Sequence, residues 1–257
     1  MRTWRKLMAA AALGVAVGGA AAQPPTPGTG VKAADPLRVA DPLGAMIAEA
    51  KSAHGTMRDY ACTFTRQERV NGAVGAEQVA ELKYRASPYS VSVRFARPAE
   101  VAGASATFAT GKRLEQVKVR PVGAKGLDRF VLVGADDAQA KLGGLHSVTG
   151  YGVGAVIDRV AKVVATEKSM NNALEVHSDE FQFAGKAVTR YEILARRPHA
   201  NRYAQRMLVF VDAQTKLPVR WEAYDAPRPG ATTGELIEAH SYTDLRANVG
   251  LGDAAFE

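Results

Sequence analysis

The sequence predicts a mainly β (α+β) fold: a single curved antiparallel sheet, or incomplete β-barrel, with about two helices covering its concave face. Three observations carry it. Long runs alternate apolar and polar residues with period two, two segments carry helical spacing, and nothing along the chain separates one core from another. The clearest run spans residues 206–225. Leu208, Phe210, Val219, Trp221 and Ala223 alternate with Val209, Val211, Arg220, Glu222 and Tyr224 on either side of a turn at residues 212–216. Asp212 suits that turn because its side chain can accept from amides just beyond it, and Pro218 stands at a strand start, where a missing N–H costs little. An antiparallel hairpin with one buried face is expected there.

The chain begins with an address. Arg2, Arg5 and Lys6 precede an apolar run at 7–17 that closes on Gly19, Ala20, Ala21 and Ala22, the pattern of a signal peptide spanning 1–22. The run is shorter than the ~20 residues that cross a bilayer, and the arginines are not adjacent, which points to the general secretory route. Residues 23–40 are dense in proline and glycine and read as a flexible tether. The folded domain is expected over 41–257.

The formal charge is +7, and loss of the three leader cations leaves +4. A mildly basic exported domain is compatible with an anionic membrane surface and gives no case for nucleic acid. The one cysteine, Cys62, excludes an internal disulfide, so core burial must hold the fold. Tyr60 and Phe64 on its face of a strand predict a buried, inert thiol.

Asp41-Pro42 supplies an N-cap and a first helical position, and Leu43, Met46, Ile47, Ala50, His54 and Met57 form one apolar stripe, so a helix is expected over 42–57. Strands are expected at 60–70, 77–85 and 89–95, with the first turn at Asn71-Gly72 and a break at Ser87-Pro88. Strands at 106–110 and 114–122 follow, then a polar surface excursion at 136–144. Val153, Val156, Ile157, Val160, Val163 and Val164 mark a second helix over 152–168, which needs tertiary burial because β-branched residues are weak helix formers. Strands at 174–183, 187–195 and 236–245 complete a sheet of nine to eleven strands.

Chemistry is sparsely signalled. Gly150, Gly152 and Ala155 fit a G-x-G-x-x-A fingerprint, but no βαβ unit surrounds them, so a glycine-rich helix entry is expected. His54, His146, His177, His199 and His240 show no ligand spacing, and no metal or cofactor is expected. The pairs Asp136-Asp137 and Asp179-Glu180 read as solvated turns. Arg66 and Glu68 share a strand face with Tyr60 and Phe64. They are either a polar anchor for a ligand headgroup or an ion pair where the strand emerges into water. Arg196, Arg197 and Arg202, with Arg190 and Arg206 nearby, crowd one hairpin and are the candidate contact with an anionic surface.

Three segments together resemble an exported bacterial domain-of-unknown-function family, numbered fifteen seventy-one. They are Asp59-Tyr60 with Cys62, Phe64 and Gln67-Glu68-Arg69, the hairpin Val211-Asp212 to Tyr224-Asp225, and the ending Tyr242, Leu245, Asn248, Leu251 and Phe256. At fold level such proteins look similar to lipoprotein carriers of the LolA and LolB type, incomplete barrels whose helices plug an apolar cavity; no binding residue is carried over from them. The resemblance implies a non-catalytic envelope protein that binds lipid or lipidated protein as a monomer. Tyr60, Phe64, Leu82, Tyr84, Val91, Val93 and Phe95 would line its cavity. The alternatives are an envelope interaction module with a solid core and, last, a hydrolase acting on envelope polymers.

Overall fold

The computed structural model describes residues 41–123, 129–196 and 202–257. The leader, the tether, Arg197 and His199 lie outside the described residues. The strands are β1 (Asp59–Val70), β2 (Ala73–Val74), β3 (Gln78–Arg85), β4 (Ser90–Arg97), β5 (Ser105–Ala109), β6 (Val117–Arg120) and β7 (Val131–Val133). After helix α2 (Val153–Ser169) come β8 (Leu174–Phe183), β9 (Lys186–Ala195), β10 (Arg206–Asp212), β11 (Pro218–Tyr224) and β12 (Leu236–Ala247). Helix α1 (Pro42–Gly55) precedes them all.

Twelve strands make one antiparallel sheet in the order β7-β6-β5-β4-β3-β1-β12-β11-β10-β9-β8, with β2 paired to β1. It does not close into a barrel, because β7 and β8 are its two edges. The chain walks outward from β1 to β7, crosses with α2, and walks back from β8 to β12, which zips onto β1. Among the described strands, that last pairing alone joins the two halves of the sheet. It sets Phe64 opposite Tyr242, Arg66 opposite His240 and Glu68 opposite Glu238.

Both helices lie on one face. Asp41 caps α1 by accepting from the Gly44 amide at 2.8 Å. Leu43, Met46 and Ala50 of α1 and Val153, Val156, Ile157 and Val160 of α2 pack in one core with Tyr60, Phe64, Leu82, Val93, Trp221 and Tyr242. Each Val, Leu, Ile, Phe or Met among them contributes roughly 1.5–3 kcal/mol when fully buried. Cys62 joins this core, and burial pushes its thiol up to about 12.

Three expectations need correction. The hairpin buries both faces: Met207, Val209, Trp221 and Ala223 enter the main core, while Leu208, Phe210 and Val219 form a second cluster with Val188 on the other side. The register places Val209 opposite Trp221 and shifts between Phe210 and Val211, so Leu208 and Phe210 do not share the face of Trp221. Second, the expected strand at 114–122 shrinks to β6, because Arg113–Glu115 turns in a 3₁₀ segment that leaves Leu114 exposed. Third, twelve strands replace nine to eleven, the short β2 and β7 being too brief to show a period.

Candidate functional site

The register that opposes Arg66 to His240 and Glu68 to Glu238 puts four ionisable side chains on the helix-facing side of the central strand pair. All four are buried, with Glu238 and His240 at 0% exposure. The polar excursion at 136–144 does not simply ride over the surface. Its 3₁₀ turn Ala138–Lys141 buries Ala140 and aims two carbonyls inward. Arg66 donates to Lys141 O at 3.2 Å, Leu142 O at 2.8 Å, Gln78 Oε1 at 2.8 Å and the Tyr151 hydroxyl at 2.5 Å. The next residues bring the Leu145 amide to Glu68 Oε2 at 2.8 Å and His146 Nε2 to Glu238 Oε2 at 2.5 Å.

Gly144 makes this approach possible. A Cβ there would stand 2.2 Å from Arg66 Nη1 and 2.4 Å from Glu68 Oε2. Each carboxylate then divides its oxygens. Glu238 Oε1 accepts from Trp221 Nε1 at 2.6 Å and Arg159 Nη1 at 3.1 Å, while Oε2 faces His146 and lies 3.5 Å from His240 Nε2. Glu68 Oε2 is held by the Leu145 amide with Arg66 Nη1 3.7 Å away, and Oε1 meets His240 Nε2 at 2.7 Å.

Burial alone would raise both glutamates, but the surrounding hydrogen bonds and cations win. Glu238 is held well below the usual carboxylate range by His146, His240 and Arg159, and Glu68 is lowered by His240 and Arg66. His240 is pushed below its ordinary value, first by burial, with Glu68 opposing. Glu68, His146 and Glu238 each offer a ligand atom within 4.8 Å of the others, a composition that could hold a metal ion. Two guanidinium groups already balance the two carboxylates, so a divalent ion would bring uncompensated charge into a buried site. The arrangement reads as an interior ion-pair network that fastens α2 and the 136–151 segment to the sheet. It replaces the expected ion pair emerging into water.

The glycine-rich entry of α2 is settled by the same strands. Gly152 stands at the N-cap with φ +105, it has no side chain to accept from the first helical amides, and a Cβ there would meet the Tyr60 hydroxyl at 2.7 Å. The Gly152 amide donates to the Tyr242 hydroxyl at 3.2 Å and the Val153 amide to the Tyr60 hydroxyl at 2.9 Å. Amides that would cradle a phosphate in a dinucleotide fold are thus taken by two tyrosines.

Beyond α2 lies a cleft of about 520 Å³. Its walls include Val163, Met170 and Ala204, the Tyr203 ring, and the charged Asp158, Arg159 and Lys162. At its end Arg202 donates to both oxygens of Glu167, at 2.7 and 2.8 Å, with side chains 5% and 3% exposed. Arg202 therefore turns inward, away from the surface role expected of it. Arg196 is exposed and paired with Glu175, and Arg197 lies outside the described residues.

Among the predicted cavity lining, Tyr60, Phe64, Leu82, Val91, Val93 and Phe95 are each at most 2% exposed, and Tyr84 is half-buried, stacked on Tyr60 at 4.9 Å. They form one apolar surface beneath the helices, filled by side chains. The sequence does not by itself place Glu238, Tyr151 and Arg159 in this network, and it presents His146 and His240 only as histidines without ligand spacing. The available signal was the i, i+2 spacing of Glu238, His240 and Tyr242, a polar pair continuing an apolar strand face.

The chain is similar to several solved structures at low identity. One is an uncharacterised conserved protein from Thermus thermophilus, with a TM-score of 0.47 and 9% identity over 83% of this chain and 91% of the other. Another is the lipoprotein LppX of Mycobacterium tuberculosis, with a TM-score of 0.46 and 12% identity over 82% and 97%. A third is a LolA superfamily protein from Nitrosomonas europaea, with a TM-score of 0.34 and 9% identity over 84% and 97%. No curated protein matches the chain. The family model described as "Protein of unknown function (DUF1571)" matches residues 57–257, from the start of the sheet to the last residue, and the chain belongs to that family.

Proposed function

We propose that the chain is an exported, non-catalytic binding protein of the cell envelope that takes lipid or lipidated protein. The observation that carries this reading is the amphipathic cleft of about 520 Å³ beside α2. Its volume falls in the range of small-molecule sites. Val163, Met170 and Ala204 offer an apolar wall for an acyl chain, and Arg159 and Lys162 offer cations to a headgroup. Binding then grows by ~0.8 kcal/mol for each buried CH₂, so chain length matters more than headgroup. Tyr60, Phe64, Leu82, Tyr84, Val91, Val93 and Phe95 form the deeper lining, which a long chain reaches when α2 shifts. Arg66 and Glu68, tied into the interior network, position the wall rather than the headgroup. Glu68, Glu238, His146 and His240 bond one another and do not line the cleft, which supports a non-catalytic role.

Titration with a fluorescent fatty acid tests this reading. Met170→Asp and Val163→Asp should each weaken uptake about tenfold or more, because a carboxylate enters the apolar wall. Unchanged uptake in both folded variants contradicts the cleft. The second reading is an interaction module of the envelope. It is favoured by the side-chain-filled interior around Phe64, Leu82 and Val93, and it stands if the unmodified chain takes up no fatty acid.

A further inference from the structure

The face of the sheet turned away from the helices carries a different surface near the β7 edge. Val117 and Val119 of β6 are buried toward the core, so Lys118 and Arg120 point the opposite way. Ser105 pairs with Arg120, Thr107 and Leu132 pair with Lys118, and Arg94 pairs with Ser105. Directly paired residues share a face, so these side chains form one patch.

A pocket of about 190 Å³ opens on it, where Arg94, Lys118, Arg120 and Arg129 meet the hydroxyl-bearing Ser105 and Thr107. Among the described residues lining it the carboxylate is Glu257, which also lies 3.8 Å from Lys112 Nζ. Apolar groups stand beside the cations: Phe130 is 45% exposed and Leu132 42%, and Lys118 Nζ sits 4.5 Å over the Phe130 ring.

Each half of this surface suits a different partner, and one partner satisfies both. A soluble anion answers the cations but leaves two large apolar side chains in water at an open sheet edge, a liability that folds ordinarily cover. A protein strand added to β7 answers the edge but needs no cluster of four cations. We propose that the patch docks the chain on an anionic phospholipid bilayer. Arg94, Lys118 and Arg129 contact headgroup phosphates, and Phe130 and Leu132 enter the interface. The inference does not depend on what the cleft beside α2 holds, since the patch lies on the other face of the sheet.

Vesicle co-sedimentation of the purified chain tests it. Binding should be strong on vesicles of phosphatidylcholine mixed with phosphatidylglycerol and weak on phosphatidylcholine alone. The double variant Lys118→Glu, Arg129→Glu should lose about tenfold in bound fraction, as should raised salt, since headgroup attraction is screened within a Debye length. Phe130→Ser with Leu132→Ser should also reduce binding, with the circular dichroism spectrum of both variants unchanged. Equal binding to neutral vesicles, no binding, or indifference to the charge reversals would overturn the proposal. Displacement by millimolar inorganic phosphate with no effect of the Phe130 and Leu132 changes would overturn it too, by making the pocket a site for a soluble anion.

Discussion

Two imidazoles in the interior have no way to ionise cheaply. His54 and His240 are both held below their ordinary value of 6.5, first by burial, with Asp158 opposing at His54 and Glu68 at His240. His54 Nε2 and His240 Nδ1 also find no hydrogen-bond partner among the described residues. The unfolded chain therefore takes up protons on both below about pH 6.5, before the folded chain does, so stability present above that value is lost as pH falls. Glu68 and Glu238, lowered from 4.5 in the fold, add stability above that value and lose it as pH drops further. Urea midpoints should be lower near pH 5.5 than near pH 7.5. His54→Phe, which keeps the ring against Tyr60 and Tyr84 and removes the titration, should narrow that difference. An identical difference in the variant would show that His54 does not contribute.

Helix α2 shows how an element of poor intrinsic propensity is held. Its valines bury one side, Arg159 reaches Glu238, Arg202 grips Glu167 near the last turn, and two tyrosine hydroxyls receive the first amides. Replacing Tyr60 or Tyr242 by Phe leaves the ring packing and removes one acceptor. Each change should cost about 1 kcal/mol, and amide exchange should accelerate in the first turn of α2 more than in β3 or β10. Uniform acceleration across the sheet would mean that the hydroxyls do not cap the helix.

At the scale of the whole molecule, what could be read from the chain was whatever repeats locally. The alternation through residues 60–70 and 206–224 and the stripe of Val153, Val156, Ile157 and Val160 announced strands, helix and the shared face on which Tyr60, Phe64 and Leu82 lie. The interior network was not readable that way. His240 and Glu68 are 172 positions apart, and their contact exists only because β12 returns to zip onto β1 in one register. Paired with arginines, such charges can occupy core positions that alternation assigns to apolar residues, so Glu238 and His240 passed as ordinary strand residues. The short β7 was hidden for a simpler reason, since three residues carry no period.

An open sheet, helix α2 latched over it by polar contacts, and an amphipathic cleft at the border of α2 are the features on which the proposed lipid binding rests. Native mass spectrometry of the chain purified from a bacterial periplasm, followed by solvent extraction, reads this most directly. A lipid retained through washing at about one per chain, and lost from Met170→Asp, is the expected result. A clean unliganded mass, with no uptake of added fatty acid, would contradict lipid binding and leave the interaction module as the function.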